Sequence, residues 1–478
     1  MKKCEKEFYA NYVSSIGIIQ PKKSLLKNKK FYIPLISFSS AIVATLIITL
    51  SITLTRPNIY SYGKLVYEPT VKFNSSYKDL NMSLEEIEEL NNFIKKEYTN
   101  YTGDFISSYI NEYKTKDDNL IASPLSLIYN LGMLVNVSSN KFKENILNYF
   151  NLSKDKFDKY LNEIYNLFLK DLYNSNNQLL TKSYISNSIW LEQSYDYNDE
   201  ILKDLATIYY AYSYKVNNID NVDKTNQLVN KFIKDQTNNL IDVDPQIEKD
   251  TIFSLLSILY LKDLWNSYGI DLSYSDKLFT FKNKDNSEKR INLLVGSYNP
   301  GKIYETSTYE MFYTSSNKYQ IKFILPKENY DIESIFNESV IKEVSLFNDY
   351  ITYDENLDVF YASRILFPAF EVSNTNQIEK LLKNIGIYSA TIVDTHEFVL
   401  NSTILNNIRT IQSSKLKVDK IGIEGASVTI TNIDATSPEP YETIYDELII
   451  NRPFGFIIQD NNGLVVFGGI INNCELNN

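Results

Sequence analysis

The chain holds a single histidine, His396 in the run DTHEF, and that count alone bounds its chemistry. A zinc site of the H-E-x-x-H kind, or any site with several histidine ligands, cannot be assembled. A Ser-His-Asp relay would have to use His396, and the sequence has no G-x-S-x-G turn to hold its serine. No G-x-x-x-x-G-K-[ST] or G-x-G-x-x-G run offers a cradle for phosphates. Cys4 and Cys474 are the only cysteines, too few for a disulfide framework. The residues therefore point away from an enzyme; no cofactor and no metal are expected, and His396 reads as a surface residue.

What remains is a stretch suited to being acted upon. Residues 418–453 read VDKIGIEGASVTITNIDATSPEPYETIYDELIINRP. From Gly422 to Thr429 the residues are small or β-branched except Glu424, a composition that fits into a crowded sheet without displacing core. From Asn432 to Tyr445 the chain is polar, carries Pro438 and Pro440, and lacks apolar period, so an exposed loop is expected. Strand character returns at Ile449, and FGFIIQD and LVVFGGII flank an Asn461-Asn462-Gly463 turn as a buried hairpin.

The elements around this stretch carry a family pattern. The C-terminal NRPFGFIIQDNNGLVVFGGIINN (451–473) and the segment NLIASPLS (119–126), followed by LIYNLGMLVNVSS, together resemble the serpin family. So do Asn230-Lys231-Phe232 with Gln236-Thr237-Asn238, LLSILYLKDLW (255–265), KFILP (322–326), and FPAF (367–370) with IEKLLKNIGI after it. The resemblance implies an α+β serpin fold over 101–478: three β-sheets, about eight or nine helices, and an exposed reactive-centre loop.

It also implies a mechanism. A serine protease, or a cysteine protease, attacks one bond of the loop. The freed loop then inserts as a new strand of the main sheet before the acyl-enzyme is hydrolysed, which traps the protease. By alignment the hinge is Gly422, Ile423, Glu424, Gly425, Ala426, Ser427, Val428 and Thr429. Ile423, Gly425, Ser427 and Thr429 face the core on insertion, and none is charged. Two positions depart from the family: Lys420 replaces an acidic residue, and Ile423 replaces a small hydroxyl residue.

The sheet-opening region implied by the same resemblance comprises Asn119, Ser123, Pro124, Ser126, Ser257, Gln412 and Trp265. Gln412 and Ser257 stand where the family usually has His and Asn; both side chains donate and accept. Trp265 is expected to cover the point where the loop joins the sheet. Counting forward from Gly422 puts the reactive bond at Thr436-Ser437. Counting back from Pro453 puts it near Glu442-Thr443, with Tyr441 adjacent. Small Ala435 and Thr436 suit an elastase- or subtilisin-like target; Tyr441 suits a chymotrypsin-like one and Glu442 a glutamate-specific one. The other class of function is a non-inhibitory serpin fold used as a surface binding or adhesion protein.

A net charge of −11 argues against a nucleic-acid partner, which needs a concentrated basic face. Residues 31–54, FYIPLISFSSAIVATLIITLSITL, run 24 positions without a charge, enough for a bilayer core of roughly 30 Å. Lys22, Lys23, Lys27, Lys29 and Lys30 precede this run, so the positive-inside rule predicts a cytoplasmic basic tail over 1–30 and an uncleaved single-pass anchor with the remainder outside the cell. A cleaved signal peptide, giving a secreted protein, is the alternative. Residues 55–100 are expected to form an extracellular stalk, with Ser83-Leu84-Glu85-Glu86 as a capping box.

Overall fold

The computed structural model describes residues 61–69, 82–114, 118–266, 271–355, 357, 359–387, 392–400, 405–407, 410–424 and 442–474. The anchor expected over 31–54 and the basic tail before it lie outside them. Among the described residues no helix is long and apolar enough to cross a membrane.

The stalk expectation fails for residues 61–69 and 82–100, which are built into the body. Strand β1 (Lys64–Tyr67) pairs antiparallel with Ala211–Val216 at the outer edge of the main sheet. Ser83 forms the capping box its spacing predicts: its hydroxyl accepts from Glu86 N, and Glu86 Oε2 accepts from Ser83 N at 2.7 Å. Helix α1 (Leu84–Phe93) continues through a π turn at Ile94–Tyr98 into α2 (Thr99–Tyr113). Leu90, Phe93 with Ile94, Tyr98, Tyr101 and Phe105 fall at helical spacing on one side of α1 and α2, and all are buried in the main core. Such a stripe has to be covered, which a free stalk cannot do.

Strand β2 (Leu120–Ala122) turns at Ser123 into helix α3 (Pro124–Val137). Pro124 opens the helix where a missing N–H costs no bond, and Ser123 Oγ accepts from Ser126 N at 3.3 Å. Nearly every residue of α3 is buried, so it runs through the core and not over it. The main sheet is then laid down. β3 (Lys170–Tyr173) and β4 (Leu179–Glu192) pair antiparallel, and β5 (Ala211–Val216) lies parallel to β4. Helix α4 (Asn218–Gln236), kinked at Asn221, crosses back, and β6 (Phe253–Leu264) pairs antiparallel with β4 from Thr181 to Leu191.

β7 (Tyr309–Ser315) and β8 (Tyr319–Pro326) start a second sheet. β9 (Val359–Phe367) is the centre of a third, and β10 (Phe370–Gln377) returns to the far edge of the main sheet beside β11 (Ile411–Val418). β12 (Gly422–Ile423) follows at once. β13 (Glu442–Ile449) lies parallel to β9. β14 (Phe454–Asp460) and β15 (Val465–Ile471) complete the second sheet as a buried hairpin. Its turn needs Gly463, which adopts φ +84, and Asp460 Oδ1 accepts from Asn462 N and Leu464 N at 2.9 Å each. The architecture is α+β with three large sheets among the described residues, as expected.

Candidate functional site: a half-filled gap in the main sheet

β11 is paired along its length to β10, and β6 to β4, yet β6 and β11 do not pair with each other. Among the described residues, only β12 lies between them, and only at one end: Gly422 and Ile423 pair with Leu264 and Asp263, and Ile423 pairs with Val418. Both pairings are antiparallel. Beyond β12 the gap widens into a cavity of about 840 Å³, lined by Ile258, Tyr260, Gln412 and Leu416 of the two strands, by Ile233 of α4 and by Thr237 just past its end.

The filled end is tightly specified. A side chain at Gly422 would place its Cβ 2.2 Å from the carbonyl oxygen of Asp263, so the close approach of two backbones requires glycine. Ile423 is completely buried in the main core. Glu424 turns out of the strand at φ +75, with its N donating to Lys417 O at 2.7 Å and its Oε2 accepting from the Tyr260 hydroxyl at 2.7 Å. Burial pushes the Glu424 carboxyl upward, against the Tyr260 bond and the charges of Lys262 and Lys417. Asp263 is fully buried; burial pushes its carboxyl up to about 6, opposed by donors from Ser316 Oγ at 2.5 Å, Thr181 Oγ1 and Lys318 N at 2.8 Å. Trp265 lies 4% exposed at this end, its Nε1 donating to Asp419 O at 2.8 Å. Lys420 pairs with Asp271 at 3.1 Å.

At the other end, among the described residues, helix α3 and not a strand bridges β6 and β11. Gln412 Nε2 donates to Ser123 O at 2.9 Å while Ser123 N donates to Gln412 Oε1 at 3.2 Å. Across the gap, Ser126 Oγ donates to Ser257 O at 2.8 Å and Asn130 Nδ2 to Leu255 O at 3.3 Å. The β6 carbonyls that lack a strand partner therefore receive side-chain donors one helical turn apart. Ser257 takes part through its backbone, and its own hydroxyl is buried without a hydrogen-bond partner.

Of the residues singled out from sequence, Ser123, Ser126, Ser257 and Gln412 meet at this end, and Trp265 with Gly422, Ile423 and Glu424 at the other. Asn119 and Pro124 do not reach the gap. Asn119 instead joins the chain ends, its Oδ1 accepting from Asn472 N at 2.7 Å and Asn473 N at 2.9 Å. Gly425, Ala426, Ser427, Val428, Thr429, Thr436, Ser437 and Tyr441 lie outside the described residues. Glu442 and Thr443 begin β13, in register with Val359 and Phe360, so the strand takes in the last four residues of the loop expected to run to Tyr445. ETIYDELI has no period of two to read, and the strand has none either: Ile444, Tyr445, Asp446 and Glu447 are all exposed, and Leu448 is buried. His396 is exposed, with Nδ1 2.8 Å from Asp394 Oδ1. Sequence reasoning missed Asn130, Tyr260 and Asp263. Asn130 was within reach, since it stands four residues after Ser126 on one helix face.

A family model described as "Serpin (serine protease inhibitor)" matches residues 97–474. "Serine proteinase inhibitor 1" of Variola virus is 24% identical over 395 residues, covering 77% of this chain and 95% of its own. "Alpha-1-antiproteinase 2" of Equus caballus is 20% identical over 358 residues, covering 73% and 80%. Among solved structures, a serpin of the insect Tenebrio molitor superposes with a TM-score of 0.66 at 18% identity, covering 83% of this chain and all of the other. An Arabidopsis serpin in its "native stressed conformation" gives a TM-score of 0.65 at 16% identity, with coverage of 80% and 98%.

Proposed function

The chain belongs to the serpin family, and on that premise we propose that it inhibits serine proteases by suicide trapping, its cleaved loop filling the gap between β6 and β11. The observation that carries this reading is the half-filled gap. β12 already runs antiparallel to both neighbours, so the chain beyond Ile423 needs no reversal to continue downward. Continued in that register, Thr429 comes opposite Ser257 on one side and Gln412 on the other, and its hydroxyl meets the unpartnered hydroxyl of Ser257. Gly425, Ser427 and Thr429 would follow Ile423 on the core-facing side, where small neutral side chains are tolerated and a charge is not.

The reactive bond is assigned to Thr436-Ser437. The rival at Glu442-Thr443 falls where β13 pairs with β9, and a protease needs a free extended strand. The small Ala435 and Thr436 fit an elastase- or subtilisin-like target. The preceding apolar segment at 31–54 is assigned as an anchor that holds the inhibitor outside the cell membrane.

The test is to incubate the chain with elastase, subtilisin and chymotrypsin and look for a complex that survives boiling in detergent, then to sequence the released C-terminal fragment. A fragment beginning at Ser437 is expected. Turnover of the loop by every serine and cysteine protease, with no complex, would replace this reading with a non-inhibitory surface binding protein.

A further inference from the structure

Residues 61–67 lie before the family-matched residues 97–474 and pack against the body. Tyr62 is completely buried in a small second core with Trp190 and Tyr214 of the sheet and Val229, Phe232 and Ile233 of α4. Its ring stands edge-on to Phe232 at 5.1 Å and to Tyr214 at 6.0 Å. Its hydroxyl donates to Asp235 Oδ2 at 2.8 Å, and burial with the Asp235 carboxylate raises the phenol far above its usual range, so it remains the donor. Lys231 Nζ lies 4.4 Å from the centre of the same ring and donates to Ser61 Oγ at 2.8 Å and to Asp235 Oδ2 at 3.0 Å. β1 follows immediately and is locked to β5.

The contacts to α4, through Val229, Lys231, Phe232, Ile233 and Asp235, fall on its second half. Ile233 of that half, and Thr237 just past its end, stand in the wall of the cavity that an inserting strand would occupy. A strand taking up the cavity would set its outward-facing side chains, beside Ile258 and Tyr260, against this wall, which would have to yield. We propose that residues 61–67 are a clasp that holds α4 over the gap, and that Tyr62 is a positioning residue setting how fast the main sheet accepts a strand. The proposal rests on strand insertion as read above, but not on any protease.

The test uses the full chain and the synthetic peptide GASVTITNID, the sequence of residues 425–434, carrying a fluorophore. Its uptake is followed in the parent, Tyr62→Phe, Asp235→Asn and Tyr62→Ala, alongside the melting temperature of each. Losing one charge-assisted hydrogen bond that must break before α4 moves should speed uptake about tenfold in Tyr62→Phe and in Asp235→Asn. Tyr62→Ala should be faster still, and the Phe variant keeps the ring if the Ala variant does not fold. Uptake half-times equal to or longer than the parent's in the Phe and Asn variants, with melting temperature lowered, would make the clasp structural only and overturn the proposal. A parent that takes up no peptide would sink strand insertion and the clasp together, whereas equal half-times sink the clasp alone.

Discussion

Gln412 and Ser123 exchange two hydrogen bonds, the carboxamide of one meeting the backbone N–H and C=O of the other as a neighbouring strand would. Gln412→Ala leaves the Ser123 N–H buried and unpaired and its carbonyl with only Leu127 N, at 3.3 Å, and should cost about 1–3 kcal/mol in equilibrium unfolding. Gln412→His restores a donor and acceptor but brings in a group that titrates near neutrality. Its melting temperature, compared at pH 5 and pH 8, should vary where Gln412→Ala shows no added pH dependence.

Asp263 makes stability depend on pH in an unusual direction. Its folded carboxyl, pushed up to about 6, binds a proton more tightly than the unfolded one near 3.8, so the folded state holds the extra proton between those values. Stability from this group is therefore lost as pH rises from about 4 to about 6, by on the order of 2–3 kcal/mol. Asp263→Asn should remove that slope while lowering stability throughout, because an amide cannot accept from all the donors gathered there. Melting curves of both proteins at pH 4.5 and pH 7 measure the difference.

Gly422→Val should open the filled end. The new Cβ would meet the Asp263 carbonyl 2.2 Å away, and the two backbones must part. Hydrogen exchange at the amides of β12 and of Leu264 should quicken by at least tenfold, while exchange along β14 and β15 stays as in the parent.

Cutting the chain within 425–441 should raise the melting temperature by tens of degrees, as about ten ladder bonds near 1 kcal/mol net each form in the gap. Gly425→Arg or Ser427→Glu would bury a charge on the core side and should abolish the rise. A cut parent that melts where the intact one does would show that no strand is taken up.

Much of the fold was legible because its signals are local. The hairpin over 454–471 announces itself by apolar runs on either side of Asn-Asn-Gly, and α3 by serine and proline at its start. β1 was not legible: KLVY is four residues long, and its partner β5 lies about 150 positions away. Residues 82–100 looked separable because the stripe on α1 begins before the family pattern does. At the gap, residue type was a poor guide to Ser257, whose contribution is its carbonyl; backbone groups leave no trace in the letters.

The side-chain donors along α3 also shape how a strand would settle. Near β12 the facing edges of β6 and β11 lack such donors from α3, so each rung formed there is new. At Ser257 and Leu255 the carbonyls already hold Ser126 and Asn130, and each rung there trades one bond for another. Filling would thus start on new rungs and, from Thr429 on, meet carbonyls that are already partnered. The first residues of an inserted strand would gain more from hydrogen bonding than the later ones, whose entry would lean on side-chain burial. The foot of the gap would act as a buffer stop, slowing the strand where it comes to rest.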